Sequence, residues 1–110
     1  MPHDVATDPY IFDTLMRDLT HHDRAPSAFL VYLHLWRESH GNHHKAHKDA
    51  KGRPIFHASL QQIAFATGLS KSAVQKALIR LKRRRLLLQY KKNLTAIPAY
   101  RVLRPWLRRG

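Results

Sequence analysis

The chain contains no cysteine, which excludes disulfide staples and thiolate metal sites and leaves the fold to a packed core alone. No run of about 18 uncharged apolar residues occurs, so no membrane-spanning helix and no membrane partner is expected. Met1-Pro2-His3-Asp4 lacks the basic-then-apolar layout of a secretory leader, and the expected location is the cytoplasm, at the nucleoid. There is no internal repeat and no nucleotide-binding loop. The most informative absence is that of acid. All seven carboxylate side chains (Asp4, Asp8, Asp13, Asp18, Asp23, Glu38 and Asp49) precede residue 50. Fifteen of the twenty Lys and Arg residues lie beyond Asp49, so residues 50–110 carry +15 and residues 1–49 carry −2, together the +13 of the whole chain. A surface of one sign repels itself on folding, and an acid-free stretch of this length points to a polyanionic partner. The cations are spread over several segments and not confined to one amphipathic helix, which favours nucleic acid over an anionic membrane surface.

What is present suffices for one domain. At 110 residues, with 44% hydrophobic content, the chain can bury enough apolar surface to offset chain entropy. Ile11, Phe12, Leu15, Met16 and Leu19 fall at helical spacing after Asp8 as a cap and Pro9 in the first turn, predicting a helix over residues 8–19. Residues 26–39 carry apolar side chains around most of the circumference (Phe29, Leu30, Leu33, Leu35, Trp36), as a central helix ended by Gly41 would. Residues 40–54 are polar throughout and predict a long loop. A short β-prone stretch over residues 54–58 follows.

Ser59 and Gln62 have the spacing of a capping box, opening a helix that carries Leu60, Ile63 and Ala64 inward and stops at Thr67-Gly68. Leu69 plugs inward from the turn, and Ser70 caps a second helix running to about residue 84. That helix has Val74, Ala77, Leu78 and Leu81 on one face and Lys71, Ser72, Gln75, Lys76 and Arg80 on the other. Residues 86–91 and 99–103 have strand composition, with residues 92–98 as the hairpin loop between them.

This order, with Thr67-Gly68-Leu69-Ser70 at the turn, Val74 and Leu78 four and eight positions after Ser70, and Tyr100-Arg101-Val102 in the returning strand, resembles the winged helix-turn-helix family of bacterial and phage DNA-binding proteins. The resemblance spans roughly residues 26–103. It implies a mainly α fold with a small β-hairpin wing and an extra N-terminal helix. Residues 1–24 would be an N-terminal helical extension, 25–104 the winged domain and 105–110 a basic tail. Members of that family commonly have a glycine between the recognition helix and the next strand, whereas Lys82-Arg83-Arg84-Arg85 occupies that place here.

The resemblance implies that the helix of residues 70–84 enters the major groove of double-stranded DNA. A helix that enters the groove needs an apolar inner face and short or cationic residues on its outer N-terminal turns. Ser70, Lys71, Ser72 and Gln75 are expected to reach base edges or the adjoining phosphates, with Lys76 and Arg80 on the same helix. Gln75 suits adenine, and Lys71 or Lys76 suits guanine. Arg83, Arg84, Lys91, Lys92 and Arg101 are the expected phosphate contacts. The alternative for the arginine run is a solubilising helix end favoured by the helix dipole.

His40, His43, His44 and His47 have the spacing of one helical face and are weak metal candidates, since Gly41 opposes a helix and Asp49 is the only nearby acid after Glu38. No cofactor, no metal and no enzymatic activity is expected. Most aromatics sit at core spacing, so no stacking platform for single strands is apparent. The leading expectation is a sequence-specific transcriptional regulator or replication-initiation factor, as a homodimer, for which the stripe of residues 11–19 offers a spare apolar face; the alternative for that stripe is packing onto the chain's own central helix. The alternatives are a winged-helix interaction module with an acidic protein partner and a metal-dependent nuclease using the histidine loop.

Overall fold

Asp8 starts the first helix: its carboxylate accepts from the Tyr10 amide at 3.0 Å and its carbonyl from the Ile11 amide at 2.9 Å. The computed structural model describes residues 8–40 and 47–107. The N-terminal helix departs from the α-helix expected, because Ile11–Leu15 and Asp18–His22 are π-helical. The wider turn, closed by i→i+5 bonds, brings residues four apart into line. Ile11, Leu15 and Leu19 are all buried, while Phe12 and Met16 face solvent. The stripe expected to join two copies therefore divides: three of its residues are consumed by the chain's own core.

Helix α1 (Pro26–His40) is the centre of the molecule. Ala28, Phe29, Val31, Tyr32, Leu35 and Trp36 are buried on several sides of it, as the circumferential apolar pattern requires. The expected stop at Gly41 lies outside the described residues. The Tyr32 hydroxyl donates to the Leu103 carbonyl at 2.9 Å, and its burial pushes the phenol well above the ordinary tyrosine range.

Helices α2 (Leu60–Thr67) and α3 (Lys71–Arg83) form the predicted pair. The capping box is complete: the Gln62 amide donates to Ser59 Oγ at 3.1 Å, and the Ser59 amide donates to Gln62 Oε1 at 2.8 Å. Gly68, at φ +79°, supplies the left-handed residue that ends α2. Leu69 packs against the core from the turn, and Ser70 Oγ accepts from the Ala73 amide at 3.0 Å to start α3.

The strands are β1 (His47–Lys48), β2 (Pro54–His57), β3 (Leu87–Tyr90) and β4 (Ala99–Val102), in the antiparallel order β1-β2-β4-β3. Strand β1 corrects the reading of residues 40–54 as a loop throughout, since His47 pairs with Ile55 and Lys48 with Pro54. The cause is a side-chain-built turn: Asp49 Oδ1 accepts from the Lys51 and Arg53 amides, both at 2.9 Å, and Gly52 takes φ +79°. A composition-based reading does not register a carboxylate organising a turn.

Arg85 stands where a glycine is common in winged domains, and it adopts the glycine conformation, at φ +59°. The Leu86 amide donates to the Leu81 carbonyl at 2.9 Å and the Arg85 amide to the Lys82 carbonyl at 3.1 Å. These two bonds make a Schellman ending with arginine at its left-handed position. The result is a mainly helical domain with a small antiparallel sheet, in the arrangement of a winged helix-turn-helix with an additional N-terminal helix.

The first and last few described residues meet on this domain. Trp106, in a short 3-10 turn (Pro105–Leu107), stacks on Tyr10 with ring centroids 4.3 Å apart and donates from Nε1 to Asp8 at 2.8 Å. Arg104 lies 3.5 Å from Asp8 and 5.0 Å from the centre of the Trp36 ring. The Trp106 hydrogen bond outweighs the partial desolvation of Asp8 and, with the Tyr10 amide and Arg104, holds that carboxyl below the ordinary range.

Candidate nucleic-acid interface

The geometry of α3 follows from its two faces. Val74, Ala77, Leu78 and Leu81 are buried and lock the helix to α1 and α2, whereas Lys71, Ser72, Gln75, Lys76, Lys82 and Arg83 are exposed. Its first turn holds no acid, so the positive end of the helix dipole and the Lys71 charge add together at one place. The Ser70 oxygen is engaged as the cap, which leaves its hydroxyl proton as the group available for donation.

Between α3 and the β3–β4 hairpin runs a cleft of about 620 Å³, with Lys71, Gln75, Lys82, Gln89 and Lys91 along it and Leu78, Ile79 and Tyr100 lining it between them. Lys82 Nζ donates to Gln89 Oε1 at 2.6 Å and ties the helix to the hairpin. Lys91 Nζ donates to the Leu94 carbonyl at 3.1 Å, and Asn93 Oδ1 accepts from both the amide and the hydroxyl of Thr95 at 3.0 Å. These contacts hold the hairpin loop in shape with Lys91 and Lys92 exposed on it. Gln89 and Thr95 were not singled out from the sequence. The signal available was the alternation Leu87-Leu88-Gln89-Tyr90, which places Gln89 on the same side of the strand as Leu87.

The expected phosphate contacts separate into groups. Arg84 Nη1 sits 2.8 and 2.7 Å from the two oxygens of Asp23, a carboxylate whose side chain is 5% exposed. Arg80 Nη1 lies 4.0 Å from the same group. Burial works to raise the Asp23 carboxyl, but the hydrogen bond from His22 and the charges of Arg84 and Arg80 leave it below the ordinary range. These two arginines fasten the end of α3 to the N-terminal helix. Arg83 points to solvent. Arg101 is directly opposite Leu88, on the face of the sheet turned away from α3, where it lines a different cleft with Arg85 and Arg104.

Of the four candidate metal histidines, His43, His44 and the side chain of His47 lie outside the described residues. The His40 ring stacks on Trp36 at 4.0 Å, with Nδ1 3.3 Å from the Trp36 carbonyl. Burial holds its pKa below the ordinary histidine value, against that hydrogen bond and with the help of the Arg104 charge. Among the described residues no three His, Asp or Glu side chains gather into a metal-binding group, and no helix is long and apolar enough to cross a membrane.

No known protein family and no curated protein matches the chain in sequence. In structure it is similar to a solved N-terminal domain of a DNA-binding protein, with a TM-score of 0.59 at 16% sequence identity, over 94% of this chain and 74% of that one. At that identity the likeness concerns the fold.

Proposed function

We propose that the chain binds double-stranded DNA, with α3 in the major groove and the β3–β4 hairpin against the backbone, as a sequence-specific transcriptional regulator or replication-initiation factor. The observation that carries this reading is the acid-free outer face of α3, with Lys71 and Gln75 at its start, set across a cleft from Lys91 on a shaped hairpin. Short and cationic residues on the first turns allow the helix to sink into a groove about 12 Å wide. Lys71, Ser72, Gln75 and Lys76 contact bases or the adjoining phosphates, and Arg83, Lys91 and Lys92 contact phosphates. The similarity in fold to a domain of a DNA-binding protein supports the same reading.

In this proposal residues 25–104 form the DNA-binding unit, braced by the N-terminal helix and by the Trp106 contact. The protein acts by binding and not by catalysis. It works as a homodimer, which the exposed Phe12 and Met16 on the N-terminal helix support. The test is selection of bound duplexes from a random pool at about 150 mM salt, where purely ionic adhesion is suppressed. An enriched palindrome with half-sites about 10 base pairs apart is the expected result. No enrichment, with binding lost at that salt, overturns sequence-specific recognition. A single species of monomer mass by sedimentation, with and without the selected site, overturns the dimer.

A further inference from the structure

Strand pairing decides which side chains of the sheet look away from the helices. Leu87, Tyr100 and Val102 are buried against the core, so the alternate residues Leu88, Tyr90 and Arg101 take the opposite face. Leu88 and Tyr90 remain 39% and 43% exposed there. Most aromatics do serve the core, as their spacing predicts, and Tyr90 is an exception to it. Two clefts lie on this outer face. Toward the hairpin tip, one of about 640 Å³ has Ile55, Tyr90 and Ala99 lining it and Lys51, Lys91 and Lys92 around it. Toward the other end, one of about 580 Å³ sets Arg85, Arg101 and Arg104 around Leu88 and Leu103. Among the described residues the one acid lining either cleft, Asp49, is held by Arg53 at 2.8 Å.

Two details mark the arginine end. The Arg101 Nε is buried and has no hydrogen-bond partner among the described residues, and a desolvated donor costs free energy until an acceptor meets it. Arg85 keeps a left-handed backbone that glycine would hold with less strain.

A partly apolar face with a half-exposed aromatic ring, bordered by cations at both ends, is poorly matched to a duplex, whose base faces are stacked inside. A single strand offers base faces to an aromatic ring and phosphates to cations at the same time. We infer that the outer face of the sheet binds single-stranded nucleic acid, with Tyr90 stacking on a base and Arg101 meeting a phosphate. This surface shares Lys91 and Lys92 with the hairpin side of the duplex reading, whereas Tyr90 and Arg101 have no part in that reading, so substitutions at these two residues test the inference apart from it.

The test is fluorescence anisotropy of the full chain with labelled oligothymidylate of about 10 nucleotides, at about 150 mM salt, with an oligouridylate of the same length as a second probe. Binding of either probe supports the site, and the tighter one identifies DNA or RNA as the source of the strand. Tyr90→Ala combined with Arg101→Gln is expected to weaken strand binding by about tenfold or more while duplex affinity stays within about twofold. Tyr90→Phe retains strand binding, and Lys71→Ala with Gln75→Ala leaves it unchanged. Circular dichroism checks folding. If the double variant unfolds, Tyr90→Ala alone carries the test, since that ring is half exposed. Unchanged strand affinity in the folded Tyr90→Ala variants, loss of it in the Lys71/Gln75 variant, or equal displacement by polyglutamate overturns the inference. Strand binding without duplex binding in the unaltered protein sinks the duplex reading alone, and the converse sinks this one alone.

Discussion

Arg84 at the end of α3 and Asp23 after the N-terminal helix, 61 positions apart in the chain, form the closest ion pair of the described residues, with one guanidinium nitrogen 2.7 and 2.8 Å from the two carboxylate oxygens. A residue expected to meet a phosphate is engaged by a carboxylate that fastens the end of α3. The Asp23 side chain is buried while that of Arg84 is about one-third exposed, so solvent weakens the attraction but not the penalty for leaving the acid with only His22 and the more distant Arg80. Arg84→Ala should therefore destabilise the fold by about 1–3 kcal/mol, measured by urea unfolding, while changing duplex affinity less than Arg83→Ala does. A larger loss of affinity than of stability in Arg84→Ala would return that side chain to the interface.

The same pair gives a pH dependence. The Asp23 carboxyl is held below its ordinary range in the folded protein, so its contribution to stability is fully present above about pH 4, the unfolded carboxylate value. It is lost as pH falls through the folded value. Asp8, also held low, has the same sign. Stability followed by circular dichroism should decline below about pH 4, and Asp23→Asn should flatten that decline. An acid limb of unchanged steepness in the variant would count against the pair.

Arg85 carries the conformational strain of a left-handed position. Arg85→Gly should stabilise the protein by about 0.5–1 kcal/mol, the relief of side-chain strain less the added freedom of the unfolded chain. Arg85→Ala keeps the Cβ and should show no such gain. Equal effects of the two substitutions in denaturant titrations would show that the backbone conformation is not the cause.

The two sides of the α3 cleft are expected to behave differently. Lys71→Ala with Gln75→Ala should relax sequence preference by about 1–3 kcal/mol per specific contact. Lys91→Ala with Lys92→Ala should weaken all duplexes alike and lower the salt slope by about 2. Affinities for the selected site and a scrambled duplex, each across a salt series, separate the two. If Lys91 and Lys92 substitutions alter base preference, the hairpin reads sequence and not backbone.

Trp106 joins the turn after β4 to the start of the N-terminal helix through its stack on Tyr10 and its hydrogen bond to Asp8. Trp106→Ala should cost about 1–3 kcal/mol, from the lost ring contact and an acceptor left without its donor. Thermal unfolding measures it, and Trp106→Phe should recover the stacking part only.

Much of this molecule follows from local sequence. Ser59 with Gln62, Gly68, Ser70 and the spacing of Val74, Ala77, Leu78 and Leu81 specify α2, the turn and α3, because caps and amphipathic periodicity act within a few residues. The exposure of Lys71, Ser72, Gln75 and Lys76 follows from the same periodicity, and the acid-free half of the chain is a property of composition. Other features depend on partners distant in sequence and carry no local pattern. That Arg84 serves Asp23 while Arg83 faces solvent is decided by where the N-terminal helix ends. That Arg101 looks away from α3 is decided by the register Leu88 opposite Arg101, since a shift of one residue would turn it to the core. The short β1 strand, the packing of Trp106 on Tyr10 and the exposure of Tyr90 likewise arise when segments distant in sequence meet. Sequence alone determined the main helices, the β3–β4 hairpin, their order and the sign of the surface; the tertiary structure determined which cations are left for a ligand, because ion pairing and strand facing act between residues that only folding brings together.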